Sequence, residues 1–359
     1  MKRSLAMRAA GVASVAAVGL AACGSNGSSG IGTGGGGTVS LDPKGSTFQQ
    51  AIEQQWAASF RAIATHVHVS YTGTGSLKGT KQFIQDDASF AGSDVTMTPE
   101  QQSAANSACG STAISLPVTA GGVAVIYNVN GVPNLNLTAA TLAKVLDHRI
   151  TRWDDPEIHQ ENPGAKLPAE NISVFYRKDG SGTTSVLWGF LEATARADWP
   201  LELDSADETV NWPAGHGATG SSGVVQGVKQ TQGGITYAEA SYAKQADLPT
   251  AAIKGVSGGY QNISPTTVTR SIQSGFTITG RGGDLAGTLS FTAMTGYPIS
   301  TVSYVFVCSK YEDAATGAAV KKYLTYVAGP GQHEAAPLGF APLPRLLAGK
   351  VQASVNAIS

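Results

Sequence analysis

The sequence has 359 residues, 42% of them hydrophobic and 14% charged, with 44 glycines and a formal net charge of −1. That length and apolar content support a substantial core divided between two lobes. With 24 basic against 25 acidic residues, the balance argues against nucleic acid as a partner, which demands a clustered basic face, and against long-range charge as the main binding device.

Lys2, Arg3 and Arg8 form a basic n-region ahead of an apolar, small-residue run at residues 9–20, too short and too rich in Ala and Gly to span a membrane. The run ends in Leu20-Ala21-Ala22-Cys23, which resembles a bacterial lipobox, with small residues at both positions before the cysteine. Residues 1–22 are therefore expected to be a lipoprotein signal peptide and Cys23 the lipidated start of the mature chain, anchored to the cell membrane on its extracytoplasmic face. Loss of Lys2, Arg3 and Arg8 with the leader takes the net charge from −1 to −4. Residues 23–39 read as a flexible Gly/Ser tether. Cys109 and Cys308 then remain as a pair in an oxidising compartment, either bridged as a disulfide or present as two buried thiols.

Beyond the tether, β-branched apolar runs alternate with amphipathic stretches, the signature of an α/β fold. Phe48, Ile52, Trp56 and Phe60 recur every four residues and mark a core-facing helix. Val67-His68-Val69-Ser70-Tyr71 reads as a strand and Thr80-Lys81-Gln82-Phe83-Ile84 as part of a helix. Leu142 and Leu146 face the core of another, and further strands fall at residues 122–127, 172–176, 234–237 and 302–307. Residues 274–290 are Gly-rich with weak periodicity and read as a long surface excursion.

Three segments share one design, a Gly/Ser/Thr turn running directly into a helix. They are Gly45-Ser46-Thr47-Phe48, Gly73-Thr74-Gly75-Ser76 and Asp179-Gly180-Ser181-Gly182-Thr183-Thr184. A helix N-terminus carries unpaired N–H groups and partial positive charge, so each turn is a half-cradle for an oxyanion, although each taken singly is also an ordinary N-cap. Arg177, two residues before the third turn, can grip anion oxygens while Asp179 orients it. Asp94, in Phe90-Ala91-Gly92-Ser93-Asp94, only accepts hydrogen bonds when ionised. It repels a fully deprotonated anion and takes the proton of a protonated phosphate.

These segments, together with Thr151-Arg152-Trp153-Asp154-Asp155-Pro156 and Gly233-Gly234-Ile235-Thr236-Tyr237, resemble the PstS-type phosphate-binding subunits of phosphate ABC importers, in family order across residues 45 to about 245. The resemblance implies a type II periplasmic-binding-protein clamp with hinge strands near residues 121–127 and 298–306. Lobe 1 would span residues 40–122 and 299–359, and lobe 2 residues 123–298. It also implies that Thr47, Phe48 and Ser76 donate to phosphate from one lobe and that Asp94 accepts its proton. Arg177, Ser181, Gly182 and Thr183 would close the cradle from the other, with Ser46, Gly75, Asp179 and Gly180 in support. Inorganic phosphate, the permease and the ATPase are the implied partners of a monomer without cofactor or metal. Leu77-Lys78 departs from the small residues usual in the family, and Lys78 reads as a solvated residue of the cleft rim.

Catalysis is not expected. Ser181 lacks the Gly-x-Ser-x-Gly elbow and an assignable base, Lys78 precedes Gly79 where a P-loop needs the reverse order, and the six histidines are scattered without metal-ligand spacing. The alternatives within binding are another oxyanion, such as sulfate or molybdate, and a surface phosphate sensor or adhesin.

Overall fold

The longest run of buried backbone explains the frame. Residues 113–128 read Ala-Ile-Ser-Leu-Pro-Val-Thr-Ala-Gly-Gly-Val-Ala-Val-Ile-Tyr-Asn, without a charge, because as a strand they are buried on both faces as far as Tyr127. Helices Gly220–Gln230, Pro265–Gly275 and Arg345–Asn356 pack against them. The computed structural model describes residues 37–359, which form one unit; the leader, Cys23 and the tether as far as residue 36 lie outside the described residues. Within the described part of the tether a strand already begins at Val39, in parallel register with Val67.

Eight strands form the principal sheet: β1 (Lys44–Gly45), β2 (Thr72–Gly73), β3 (Ala91–Ser93), β4 (Ala113–Asn128), β5 (Ser173–Arg177), β6 (His216–Ala218), β7 (Gly234–Glu239) and β8 (Ser300–Cys308). Their spatial order is β6-β5-β7-β4-β8-β3-β1-β2. The trio β5, β6, β7 is parallel, as is the trio β1, β2, β3. β4 runs antiparallel to β7 and β8, and β8 antiparallel to β3. β4 changes partner along its length: residues 113–122 pair with β8 and residues 123–128 with β7. Pro117 cannot donate to this ladder, and the register slips beside it, between Ser303 and Tyr304.

Helix Gln50–Arg61 buries Ile52, Trp56 and Phe60, as the four-residue spacing predicts, and Glu53 with them. Each fully buried large apolar side chain of this kind stabilises the fold by about 1.5–3 kcal/mol. Residues 274–290 differ from the expected excursion. Strand Phe276–Ile278 pairs antiparallel with Gly287–Leu289, and the turn between them is pinned to β4, where Ser115 N–H donates to Asp284 Oδ1 at 2.8 Å and Leu285 N–H to Ser115 O at 2.9 Å. Strands of three residues with glycine among them leave too little alternation to be seen in the sequence. Cys109, ending helix Pro99–Cys109, and Cys308, ending β8, form a disulfide with their Cα atoms 5.4 Å apart. No described helix is long and apolar enough to cross a membrane.

Candidate functional site

The carboxyl ends of β1, β2, β3 and β5 converge, the side on which open α/β sheets present their ligand-binding turns. β1 leads through Ser46, Thr47 and Phe48 into helix Gln50–Arg61, and β2 leads through Thr74 and Gly75 into helix Ser76–Ile84. β3 delivers Asp94. β5 ends on Arg177 and turns into helix Gly182–Ala195, whose cap Ser181 accepts the Thr184 N–H at 3.2 Å. Gly75 holds φ at +94°, and a Cβ there would lie 2.8 Å from Gly180 O, so the second and third turns meet only because that residue is glycine.

Asp94 is 2% exposed and carries four hydroxyl donors. Ser303 donates to Oδ1 at 2.6 Å, while Ser46 at 2.7 Å, Ser76 at 3.4 Å and Thr183 at 3.4 Å donate to Oδ2. Burial pushes this carboxyl above its ordinary range, and the Ser303 and Ser46 hydroxyls with the Arg177 charge pull back against it. The two long bonds, from Ser76 and Thr183, come from the N-termini of helices Ser76–Ile84 and Gly182–Ala195 and are the weaker pair of the four.

Arg177 is 2% exposed and held as a fork, with Nε donating to Asp179 Oδ1 at 2.7 Å and Nη2 to Oδ2 at 2.5 Å. Gly220 N–H also donates to Asp179 Oδ1, at 3.0 Å. Burial raises the Asp179 carboxyl, but the hydrogen bonds and charge of Arg177 outweigh it, and the carboxyl stays ionised below its ordinary range. Nη1 of Arg177 faces the other way, toward Thr47 Oγ1 at 3.2 Å and Ser221 Oγ at 3.4 Å. The geometry thus offers a fixed cation, a proton-accepting carboxylate and several hydroxyls around one point, with helix N-termini behind them.

The structure brings Ser46, Thr47, Ser76, Asp94, Arg177, Asp179, Gly182 and Thr183 together. Phe48 and Ser181 are adjacent but already engaged: the Phe48 N–H donates to Ser46 Oγ at 3.0 Å, and the Ser181 N–H donates to Glu208 O at 3.0 Å. Lys78 is exposed, as a rim residue should be. Two residues escaped sequence reasoning. Ser221, at the start of helix Gly220–Gln230, meets Thr47 Oγ1 at 2.9 Å, and Ser303 lies inside β8. Thr219-Gly220-Ser221-Ser222-Gly223 has the same turn-into-helix composition as the three chosen segments and could have been found by it. Nothing distinguishes Ser303 from a strand residue. A groove of about 1110 Å3 beside Cys109, Cys308 and Lys310 contains none of these residues.

A family model described as a PBP superfamily domain matches residues 32–330. Phosphate-binding protein PstS 2 of Mycobacterium tuberculosis is 38% identical over 356 residues, 95% of each chain. Phosphate-binding protein PstS 3 of Mycobacterium leprae is 37% identical over 329 residues, 90% of this chain and 88% of its own. Among solved structures, the phosphate-binding protein of Stenotrophomonas maltophilia superposes with a TM-score of 0.70 at 20% identity, covering 88% of this chain and 93% of that one. The periplasmic phosphate-binding protein PfluDING gives 0.71 at 22%, with the same coverage. The fold is the two-lobed type II periplasmic-binding-protein clamp, and the chain belongs to the PstS phosphate-binding protein family.

Proposed function

We propose that this protein binds inorganic phosphate outside the cytoplasmic membrane and delivers it to the permease and ATPase of an ABC importer, without catalysing a reaction. The observation that carries this reading is the pairing of a buried, hydroxyl-rich Asp94 with a buried Arg177 locked by Asp179. A protonated phosphate satisfies both, giving its P–OH to Asp94 and its charged oxygens to Arg177, whereas sulfate has no proton to give. Thr47, Ser76, Thr183 and Ser221 would add hydroxyls. Gly182 would add a first-turn N–H group, Phe48 would donate its N–H only by exchanging Ser46 Oγ for the ligand, and Ser181 would hold the third turn as its cap.

We take the lobe boundary at the point where β4 leaves β8 for β7, between residues 122 and 123, with residues 40–122 and 299–359 as one lobe and 123–298 as the other, although the hairpin of residues 276–289 reaches back to Ser115 of the first. Thr47 to Arg177 and Thr183 to Asp94 are then contacts across the cleft, so a ligand that bridges them favours the closed form a permease can recognise. Calorimetric titration of residues 37–359 with phosphate should show one site per monomer; no heat and no thermal stabilisation by phosphate would refute the reading.

The leader pattern and Cys23 support a lipid anchor on the extracytoplasmic face. Metabolic labelling with a fatty acid should mark the full-length chain and fail to mark Cys23→Ser, and equal labelling of both would exclude the anchor.

A further inference from the structure

Ser303 lies inside β8, is fully buried, and pairs with Thr119 of β4. The next residue, Tyr304, pairs with Pro117, so the register passes over Val118. An irregularity of this kind re-aims side chains beside binding sites. Here the Ser303 hydroxyl reaches Asp94 Oδ1 at 2.6 Å, the shortest of the four bonds on that carboxyl. Its one proton has a second acceptor, Ser93 O, only at 3.3 Å, and therefore goes to Asp94. Among the described residues Ser303 is the one donor to Oδ1, while Ser46, Ser76 and Thr183 share Oδ2. Under the phosphate reading the ligand enters on the Oδ2 side, where the turns meet, and Ser76 and Thr183 turn their hydroxyls to it. Ser303 holds the opposite oxygen, from a strand enclosed between β4 and β3.

We propose that Ser303 is a positioning residue for anion selectivity, which fixes Asp94 through Oδ1 and keeps it a hydrogen-bond acceptor, with Oδ2 aimed at the proton of phosphate. The proposal rests on the phosphate reading above and on Asp94 as its discriminator. A buried carboxylate that loses a donor takes up a proton more readily, because less is left to stabilise its charge. Burial already pushes Asp94 above its ordinary range, and the Ser303 hydroxyl is the foremost group pulling it back, ahead of Ser46, Arg177 and Thr183. The other titratable groups around it are Glu208, Glu239, Tyr71 and Tyr242, each pushed up by burial and to a lesser degree by the Asp94 charge. A substitution at Ser303 leaves all of these in place. A protonated Asp94 becomes a donor, and a donor accommodates sulfate, which the carboxylate repels. Selectivity therefore fails as pH falls through the Asp94 range, and without Ser303 it fails at a higher pH.

The test is the sulfate dissociation constant of wild type and Ser303→Ala from about pH 5 to about pH 8, with phosphate titrated on the same samples. Sulfate does not titrate in this range, so its profile reports groups of the protein alone. In the upper half of the range Ser303→Ala should bind sulfate at least about tenfold more tightly than wild type, a displacement of the profile by about one pH unit. It should bind phosphate no more tightly than wild type does. Coincident sulfate profiles, the absence of sulfate binding from both proteins included, overturn the proposal and leave the clamp intact. Sulfate and phosphate affinities that fall by the same factor overturn it too, since a merely structural role does that. If neither protein binds phosphate at any pH, the phosphate reading fails and takes the proposal with it. Should Ser303→Ala not give a native circular dichroism spectrum, Ser303→Cys, close in size but a much weaker donor, serves in its place.

Discussion

Glu53 shows how far a residue's environment can depart from its sequence context. Its helix reads as amphipathic, yet Glu53 falls on the inward face with Gln49, Trp56 and Phe60, is fully buried, and takes the Tyr323 hydroxyl at 2.8 Å on one oxygen while the other has no partner. Burial pushes its carboxyl up to about 8, and Glu239 likewise. The folded chain keeps these protons up to about pH 8 and the unfolded chain only up to about 4.5, so the folded state binds more protons between those values and stability falls as pH rises through that window. The limiting slope is about 1.4 kcal/mol per pH unit for each group. Residues 37–359 should melt several degrees lower at about pH 8 than at about pH 5.5, with Glu53→Gln showing a shallower fall. An unchanged slope in that variant would show that Glu53 does not carry the effect. At this scale the sequence revealed Arg177 and Asp94, whose chemistry is odd for their surroundings. It hid Ser221 and Ser303, whose places in the site come from what folds against them.

At the scale of elements, the site is a meeting of helix N-termini, and the meeting depends on what is missing from Gly182. A Cβ there would lie 2.6 Å from Ser76 Oγ and 2.9 Å from Asp94 Cβ. Gly182→Ala leaves the helix Gly182–Ala195 intact, since alanine is the better helix former, but holds the third turn away from the second. Phosphate affinity should drop by at least about tenfold, roughly 1.4 kcal/mol, with the melting temperature within a few degrees of wild type. Titration and a thermal melt on the same sample check both, and undiminished affinity would mean that the two turns do not close on the ligand as drawn here. The three turns were legible because Gly, Ser and Thr before a helix are a strong local signal. The hairpin in residues 276–289 was not, because its pairing is set by β4 and not by its own pattern.

For the whole molecule, one strand does most of the organising. β4 binds β8 with its first part and β7 with its last, so it belongs to both halves of the sheet, and its buried run was visible in the sequence only from residue 122. Pro117 and the polar Ser115 and Thr119 disguised the earlier part. The disulfide ties β8 to helix Pro99–Cys109 across a sequence separation of 199 residues, and a bridge closing so long a loop removes unfolded-state entropy and stabilises by about 2–5 kcal/mol. With only 14% charged residues, the site proposed above would select its ligand at short range, by hydrogen bonds, with Asp94 as the proposed discriminator. The most direct measurement is calorimetric titration of wild type and Asp94→Asn with phosphate and with sulfate. The account predicts phosphate heat and no sulfate heat for wild type, with a preference narrowed by at least about tenfold in Asp94→Asn, whose amide can donate to a fully deprotonated anion. Equal binding of both anions by wild type, or an Asp94→Asn variant as selective as wild type, would contradict it.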